Sequence, residues 1–131
     1  MLTPKFLTQE IVLDIHARQI DKFGGTPGLR DGGLLKSALA QPPATFSGEL
    51  LHQTIAEQAG AYLYHLIMNH PFIDGNKRTA FAVMDTFLRV NGYTLALTDE
   101  QAYKLVMSVV EGEVTKVELI AELRTVVVGI L

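Results

Sequence analysis

Two long apolar-periodic stretches, separated by a single short break, constrain this chain more than any other feature. Ile55, Ala59, Tyr62, Leu63, Leu66 and Ile67 fall on one helical face over Thr54 to Asn69. Ala80, Phe81, Val83, Met84, Phe87 and Leu88 give a second stretch, Asn76 to Val90, a broad apolar surface suited to a central position. Between them lies His70-Pro71-Phe72-Ile73-Asp74-Gly75. Pro71 disfavours the right-handed α region for His70, so the first helix must end there, and Gly75 permits a sharp reversal into the second. The chain is therefore expected to be built around this helix pair.

The remaining segments read as helices around that pair. Thr8 can cap a first helix carrying Ile11, Val12, Ile15, Ile20 and Phe23, closed by Gly24-Gly25. The stretch Gly24 to Gly33 holds five of the eleven glycines and must be a tight loop. Leu34, Leu35, Ala38 and Leu39 predict a short second helix, stopped by Pro42-Pro43. Pro42 to Leu51 has no strong pattern and is expected to be mobile or partly extended. Tyr93 to Leu97 alternates weakly and predicts an extended connector. Thr98-Asp99-Glu100-Gln101 and Thr115-Lys116-Val117-Glu118 are capping boxes that open a fifth and a sixth helix. Val126 to Leu131 is rich in β-branched residues, which suits fraying or packing on a partner. The expected fold is all-α: one compact domain of about six helices over residues 1–131, with the central pair flanking a loop.

Composition narrows the function classes. With 48% hydrophobic residues in 131, the chain can build a real core. A net charge of -3 argues against binding nucleic acid or anionic lipid through bulk charge. The absence of cysteine removes any disulfide framework or thiolate metal site and suits a reducing cytoplasm. Met1 to Lys5 lacks the apolar run of a signal peptide, and nothing approaches the roughly 18 apolar residues of a membrane span. The expectation is a cytoplasmic protein with no membrane partner.

The chemistry is concentrated in His70-Pro71-Phe72-Ile73-Asp74-Gly75-Asn76-Lys77-Arg78. Asn76, Lys77 and Arg78 fall in the first turn of the second central helix, where free N–H groups and the positive dipole end favour an anion. Two cations placed there oppose the dipole by roughly 0.3–1 kcal/mol each unless an anion is bound. Taken singly, each residue has an ordinary role: Asp74 as an N-cap, Asn76 as a turn residue, Lys77 and Arg78 as a solvated face, His70 as a helix end. Their concurrence in one turn points instead to transfer of a phosphate-containing group. His70 would accept the proton of an attacking hydroxyl. Asp74 would hold Mg²⁺ bridging two phosphates. Gly75, Asn76, Lys77 and Arg78 would cradle phosphate and neutralise charge growing in the transition state. Walker A and kinase signatures are missing. His16, His52 and His65 have no partners visible in the sequence and read as structural or surface residues.

These nine residues resemble the signature of the Fic/Doc superfamily, HPFx(D/E)GN(G/K)R. Ile20 to Leu35 resembles the N-terminal part of the Doc, or death-on-curing, toxins, and Phe87 to Tyr93 and Val109 to Glu113 look similar too, so the likeness covers nearly the whole chain. It implies the Fic/Doc fold and one of two activities. Fic-type enzymes transfer AMP to a protein hydroxyl; Doc-type toxins transfer the γ-phosphate of ATP to a threonine of elongation factor Tu and arrest translation. The chain departs from the AMP-transfer pattern at Lys77, in place of a glycine, and at Phe81, in place of a second arginine. The resemblance thus implies a Doc-type ATP-dependent phosphotransferase, with ATP and Mg²⁺ as cofactors and His70, Asp74, Lys77 and Arg78 as catalytic residues. It also implies an antitoxin whose C-terminal segment folds as a helix in a groove of the toxin. Ser108-Val109-Val110-Glu111-Gly112 is one residue short of the inhibitory (S/T)xxxE(G/N) helix of self-inhibited Fic proteins and reads as coincidence. AMP transfer, a catalytically inactive nucleotide-binding module and a nuclease remain as alternatives, the last weakened by the acidic balance.

Overall fold

The computed structural model describes residues 3–130. Six helices follow in order: α1 Gln9–Phe23, α2 Gly32–Ala40, α3 Ile55–Asn69, α4 Asn76–Val90, α5 Asp99–Val110 and α6 Lys116–Val126. Side-chain oxygens of Thr8, Asp31, Thr54, Thr98 and Thr115 accept from early backbone N–H groups of α1, α2, α3, α5 and α6. Thr98 with Gln101 and Thr115 with Glu118 form the two expected capping boxes.

α3 and α4 are the centre, as their periodicity predicts. Tyr62, Leu63, Leu66, Val83, Met84, Phe87 and Leu88 are buried between them and the surrounding helices. At roughly 1.5–3 kcal/mol for each large side chain removed from water, this pair supplies the main cohesion of the molecule. Tyr62 anchors the N-terminal segment: its hydroxyl accepts from the Leu7 N–H at 2.9 Å, and burial pushes its pKa up to about 12. Phe6 stacks on Phe87 with ring centroids 5.8 Å apart. α6 lies close against α3 because Gly60 has no side chain; a Cβ there would stand 2.8 Å from Ile120 Cγ1.

Three sequence expectations are corrected or sharpened. Pro42 to Leu51 is partly extended: β1 Thr45–Phe46 and β2 Glu49–Leu50 form a small antiparallel hairpin turned by Ser47 and Gly48, both with positive φ. The C-terminal valines form a strand rather than fraying. Val126 ends α6, and β4 Val127–Gly129 pairs antiparallel with β3 Tyr93–Leu95 in the register Leu95↔Val127. Leu131, at the end of that stretch, and Met1-Leu2 lie outside the described residues. His52 and His65 do have a partner: Lys116 Nζ lies 2.8 Å from His52 Nε2 and 2.9 Å from His65 Nε2. Burial first, and then the Lys116 charge, lower both imidazoles below their usual value, His65 to about 4. This cluster ties the start of α6 to α3 and to the segment before it. Among the described residues no helix is long and apolar enough to cross a membrane.

Candidate active site at the start of helix α4

The loop between α3 and α4 is held in an unusual backbone path. His70 ends α3 with φ 49° and ψ 56°, so it is left-handed where the pre-proline rule alone leads to an extended residue. This conformation costs a non-glycine residue roughly 1–2 kcal/mol, and such a residue persists only where neighbours over-determine it. Phe72 is buried and pins the loop to the core. Asn76, also buried, clamps it: Oδ1 accepts from the Phe72 N–H at 2.9 Å and Nδ2 donates to the Phe72 carbonyl at 2.9 Å. The same Nδ2 sits 3.3 Å from both nitrogens of the exposed His70 ring.

A second segment braces the loop from outside. Gly24 to Asp31, which the glycines mark as tight, forms a strap along it. Ile73 N–H donates to the Gly28 carbonyl at 3.1 Å, and the N–H groups of Arg30 and Asp31 donate to the Pro71 carbonyl at 2.8 and 3.0 Å. Thr26 N–H donates to Asp74 Oδ2 at 3.0 Å, and Gly25 admits that carboxylate where a Cβ would stand 2.7 Å from it. Arg78 Nη2 donates to the Gly24 carbonyl at 2.9 Å and its guanidinium lies 5.4 Å from the Phe23 ring centroid.

His16 is a supporting residue that sequence reasoning missed. It projects from α1, is buried, stacks on Phe72 with centroids 3.9 Å apart, and its Nε2 hydrogen-bonds the Asp74 carbonyl at 2.9 Å. Its position on α1 among Val12 and Ile20, the buried residues of that helix, was the available signal: a histidine on an apolar face needs a polar partner.

A cleft of about 650 Å³ opens at this point. His70, Asp74, Gly75, Asn76, Lys77 and Arg78 all line it, so the fold brings together every residue that the sequence singled out. Exposed Met68, Ile73 and Val110 form an apolar rim. α4 starts without a side-chain cap: Gly75 occupies the N-cap position with φ 72°, and no acidic residue stands in the first turn. The N–H groups of Asn76, Lys77 and Arg78 thus lack intrahelical partners and face the cleft end of the dipole. Asp74 does not cap the helix. Its exposed carboxylate accepts from Thr26 N–H and from Gly75 N–H at 2.8 Å, and these bonds hold it below the usual carboxylate pKa, with help from the charges of Arg78 and His16. Lys77 is exposed and makes no ion pair among the described residues.

The donor set at the cleft fits Mg²⁺ only in part. Among the described residues no three His, Cys, Asp or Glu side chains converge on a metal position. Of the described residues lining the cleft, Asp74 is the one carboxylate; it is ionised and accessible, with lone pairs left after its two backbone bonds. Mg²⁺ characteristically takes one or two carboxylates and completes its shell with phosphate oxygens and water. Asp74 therefore fits as a single ligand in the presence of a polyphosphate, and not as a self-sufficient metal centre. The near-match to an inhibitory helix is spatially divided: Val110 reaches the cleft rim, whereas Ser108 and Glu111 line a separate groove of about 620 Å³ between α5 and α6.

Over 74 residues the chain is 47% identical to a protein named Toxin Doc from Mycolicibacterium smegmatis, covering 56% of this chain and 57% of that protein. Over 111 residues it is 29% identical to Protein kinase doc of Escherichia phage P1, covering 85% of this chain and 86% of that protein. The chain thus spans little more than half the length of the first relative and most of the second. The family model described as Fic/DOC matches residues 6–88, a span that contains α1, the strap, the clamped loop and nearly all of α4. The chain belongs to the Fic/DOC family.

Proposed function

We propose that this protein is a Doc-type toxin that transfers the γ-phosphate of ATP to a hydroxyl of a protein, with elongation factor Tu as target and arrest of translation as outcome. The observation that carries this reading is the uncapped start of α4, where Lys77 stands unpaired beside free N–H groups and the ionised Asp74. That arrangement suits a terminal phosphate. The Lys77 side chain, in place of a glycine, crowds an α-phosphate that carries its nucleoside. The names of the two relatives, one a toxin and one a protein kinase, support the same reading.

The reaction uses few residues. The substrate hydroxyl oxygen attacks the γ-phosphorus; the bond from γ-phosphorus to the bridging oxygen breaks, and ADP leaves with the electron pair. His70, in its neutral form, takes the hydroxyl proton on a ring nitrogen. Lys77 and the first N–H groups of α4 neutralise charge on the transferring phosphoryl oxygens. Arg78 lines the same cleft while its Nη2 holds the strap, so it supplies positive field together with loop geometry. Asp74 would hold Mg²⁺, which supplies charge neutralisation across the phosphates. The apolar rim of Met68, Ile73 and Val110 offers a surface for a protein substrate, or for a helix of a cognate antitoxin.

The test is intact-mass spectrometry of elongation factor Tu after incubation with this protein, ATP and Mg²⁺. A gain of one phosphate that disappears with His70→Ala is expected. A gain of AMP would replace this reading with the Fic-type reaction. ATP binding with no modification would indicate a non-catalytic module.

A further inference from the structure

We propose that Arg30 is a positioning residue for His70: its guanidinium fixes the left-handed backbone that aims the imidazole into the cleft. The inference rests on His70 acting as the base, but the arrangement it invokes can be tested without activity.

The observation is a run of hydrogen bonds from one residue of the strap. Arg30 Nε donates to the His70 carbonyl at 2.7 Å and Nη2 donates to the Asn69 carbonyl at 2.9 Å. The Arg30 backbone N–H donates to the Pro71 carbonyl at 2.8 Å. One residue therefore engages three successive carbonyls at the point where the chain turns left-handed. The bond from the His70 N–H back to the Leu66 carbonyl is long, at 3.3 Å. The remaining neighbours hold the loop on either side of His70: Asn69 Nδ2 donates to the Leu34 carbonyl at 2.9 Å, and Asn76 grips Phe72. The direct hold on the His70 peptide comes from Arg30.

The chemistry explains why arginine stands there. Carbonyls 69 and 70 close α3, where the dipole end is negative and a cation is favourable. Two adjacent acceptors at this spacing suit a rigid planar fork; a lysine offers a single point of charge on a flexible stem. The direction of the His70 Cα–Cβ bond follows from φ and ψ. If His70 relaxed to the extended backbone that Pro71 favours, Cβ would swing and the ring would leave its place beside Asn76. Arg30 is remote in sequence and touches no atom of the reacting groups, so its effect passes through His70.

The test compares wild type, Arg30→Ala, Arg30→Lys and His70→Ala. Imidazole and amide resonances of His70 are followed by NMR, and phosphate transfer, KM for ATP and Tm are measured in parallel. Arg30→Ala should shift the His70 resonances, lower kcat at least tenfold and leave KM for ATP within twofold. Arg30→Lys should fail to restore kcat, and added guanidinium ion should partly restore Arg30→Ala. Unchanged His70 resonances in Arg30→Ala would overturn the proposal whatever the activity. So would full rescue by lysine, or a loss of kcat explained by the fraction unfolded. If the wild-type protein transfers nothing, the functional reading fails, while the NMR comparison still decides the role of Arg30.

Discussion

The starts of helices α4 and α6 obey opposite rules within one small molecule. At α6, Thr115 and Glu118 close a capping box and an acidic residue stands in the first turn. At α4, a glycine occupies the N-cap without a side-chain bond, the first turn carries Lys77 and Arg78, and no acid is present. α6 also carries Lys116 in its first turn, but there, as at the starts of α1, α2, α3 and α5, a Thr or Asp side-chain oxygen caps the free N–H groups. The one start that departs from the pattern is the one that opens into the cleft. A helix end left uncapped and positively charged forgoes stability in the absence of a ligand and gains the ability to hold an anion.

Substitutions at the two ends can break or sharpen that contrast. The largest effect is expected at His70, beside the α4 start: His70→Ala should cut phosphate transfer by roughly 10²–10⁴-fold while leaving Tm nearly unchanged, because the ring is exposed. Activity within a few-fold of wild type would remove the base from the mechanism. Lys77→Glu should raise KM for ATP tenfold or more, and yet stabilise the ligand-free protein by about 0.3–1 kcal/mol in urea titration, since an acid replaces a cation at a helix start. A loss of stability there would contradict the dipole argument. Thr115→Ala should do the reverse at α6, costing about 1 kcal/mol of stability with kcat unaltered.

A further expected effect concerns acid. The folded pKa values of His52 and His65 lie below the unfolded value near 6.5, His65 at about 4, so the unfolded chain binds more protons between those limits. The stability contributed by the neutral imidazoles is present above pH 6.5 and is lost progressively as pH falls toward 4. Urea midpoints at pH 7 and pH 5 should differ in that direction, and Lys116→Met should reduce the difference by removing the cation that faces both rings.

The helical frame was legible because it is written locally. Periodicity placed α3 and α4, and Thr8, Thr54, Thr98 and Thr115 marked starts within a residue of those observed. The strands were less legible. Leu95 and Val127 find one another only after two helices have intervened, and nothing in a window of a few residues specifies that pairing. At the site, the identity of the residues was readable and their use was not. Asp74 could be read as a Mg²⁺ ligand or an N-cap, but not as the acceptor of the distant Thr26 N–H, for which Gly25 leaves room. Asn76 looked like a phosphate ligand, and its side-chain amide is occupied with Phe72. The partners of His16 and Arg30 could not be read from the sequence, since they lie 58 and 40 residues away.

That distance in sequence bears on the order in which the protein acquires its properties. α3 and α4 are neighbours along the chain, and such local packing forms early in folding. The strap reaches the loop through Thr26–Asp74, Arg30–His70 and Gly24–Arg78 contacts that close over 48, 40 and 54 residues. The strap is exposed throughout, so little buried apolar surface holds it down. Catalytic competence should then be the last property gained on refolding and the first lost on mild denaturation. In a refolding experiment, recovery of activity is expected to lag behind recovery of helical circular dichroism, and simultaneous recovery would show that strap and core form one cooperative unit.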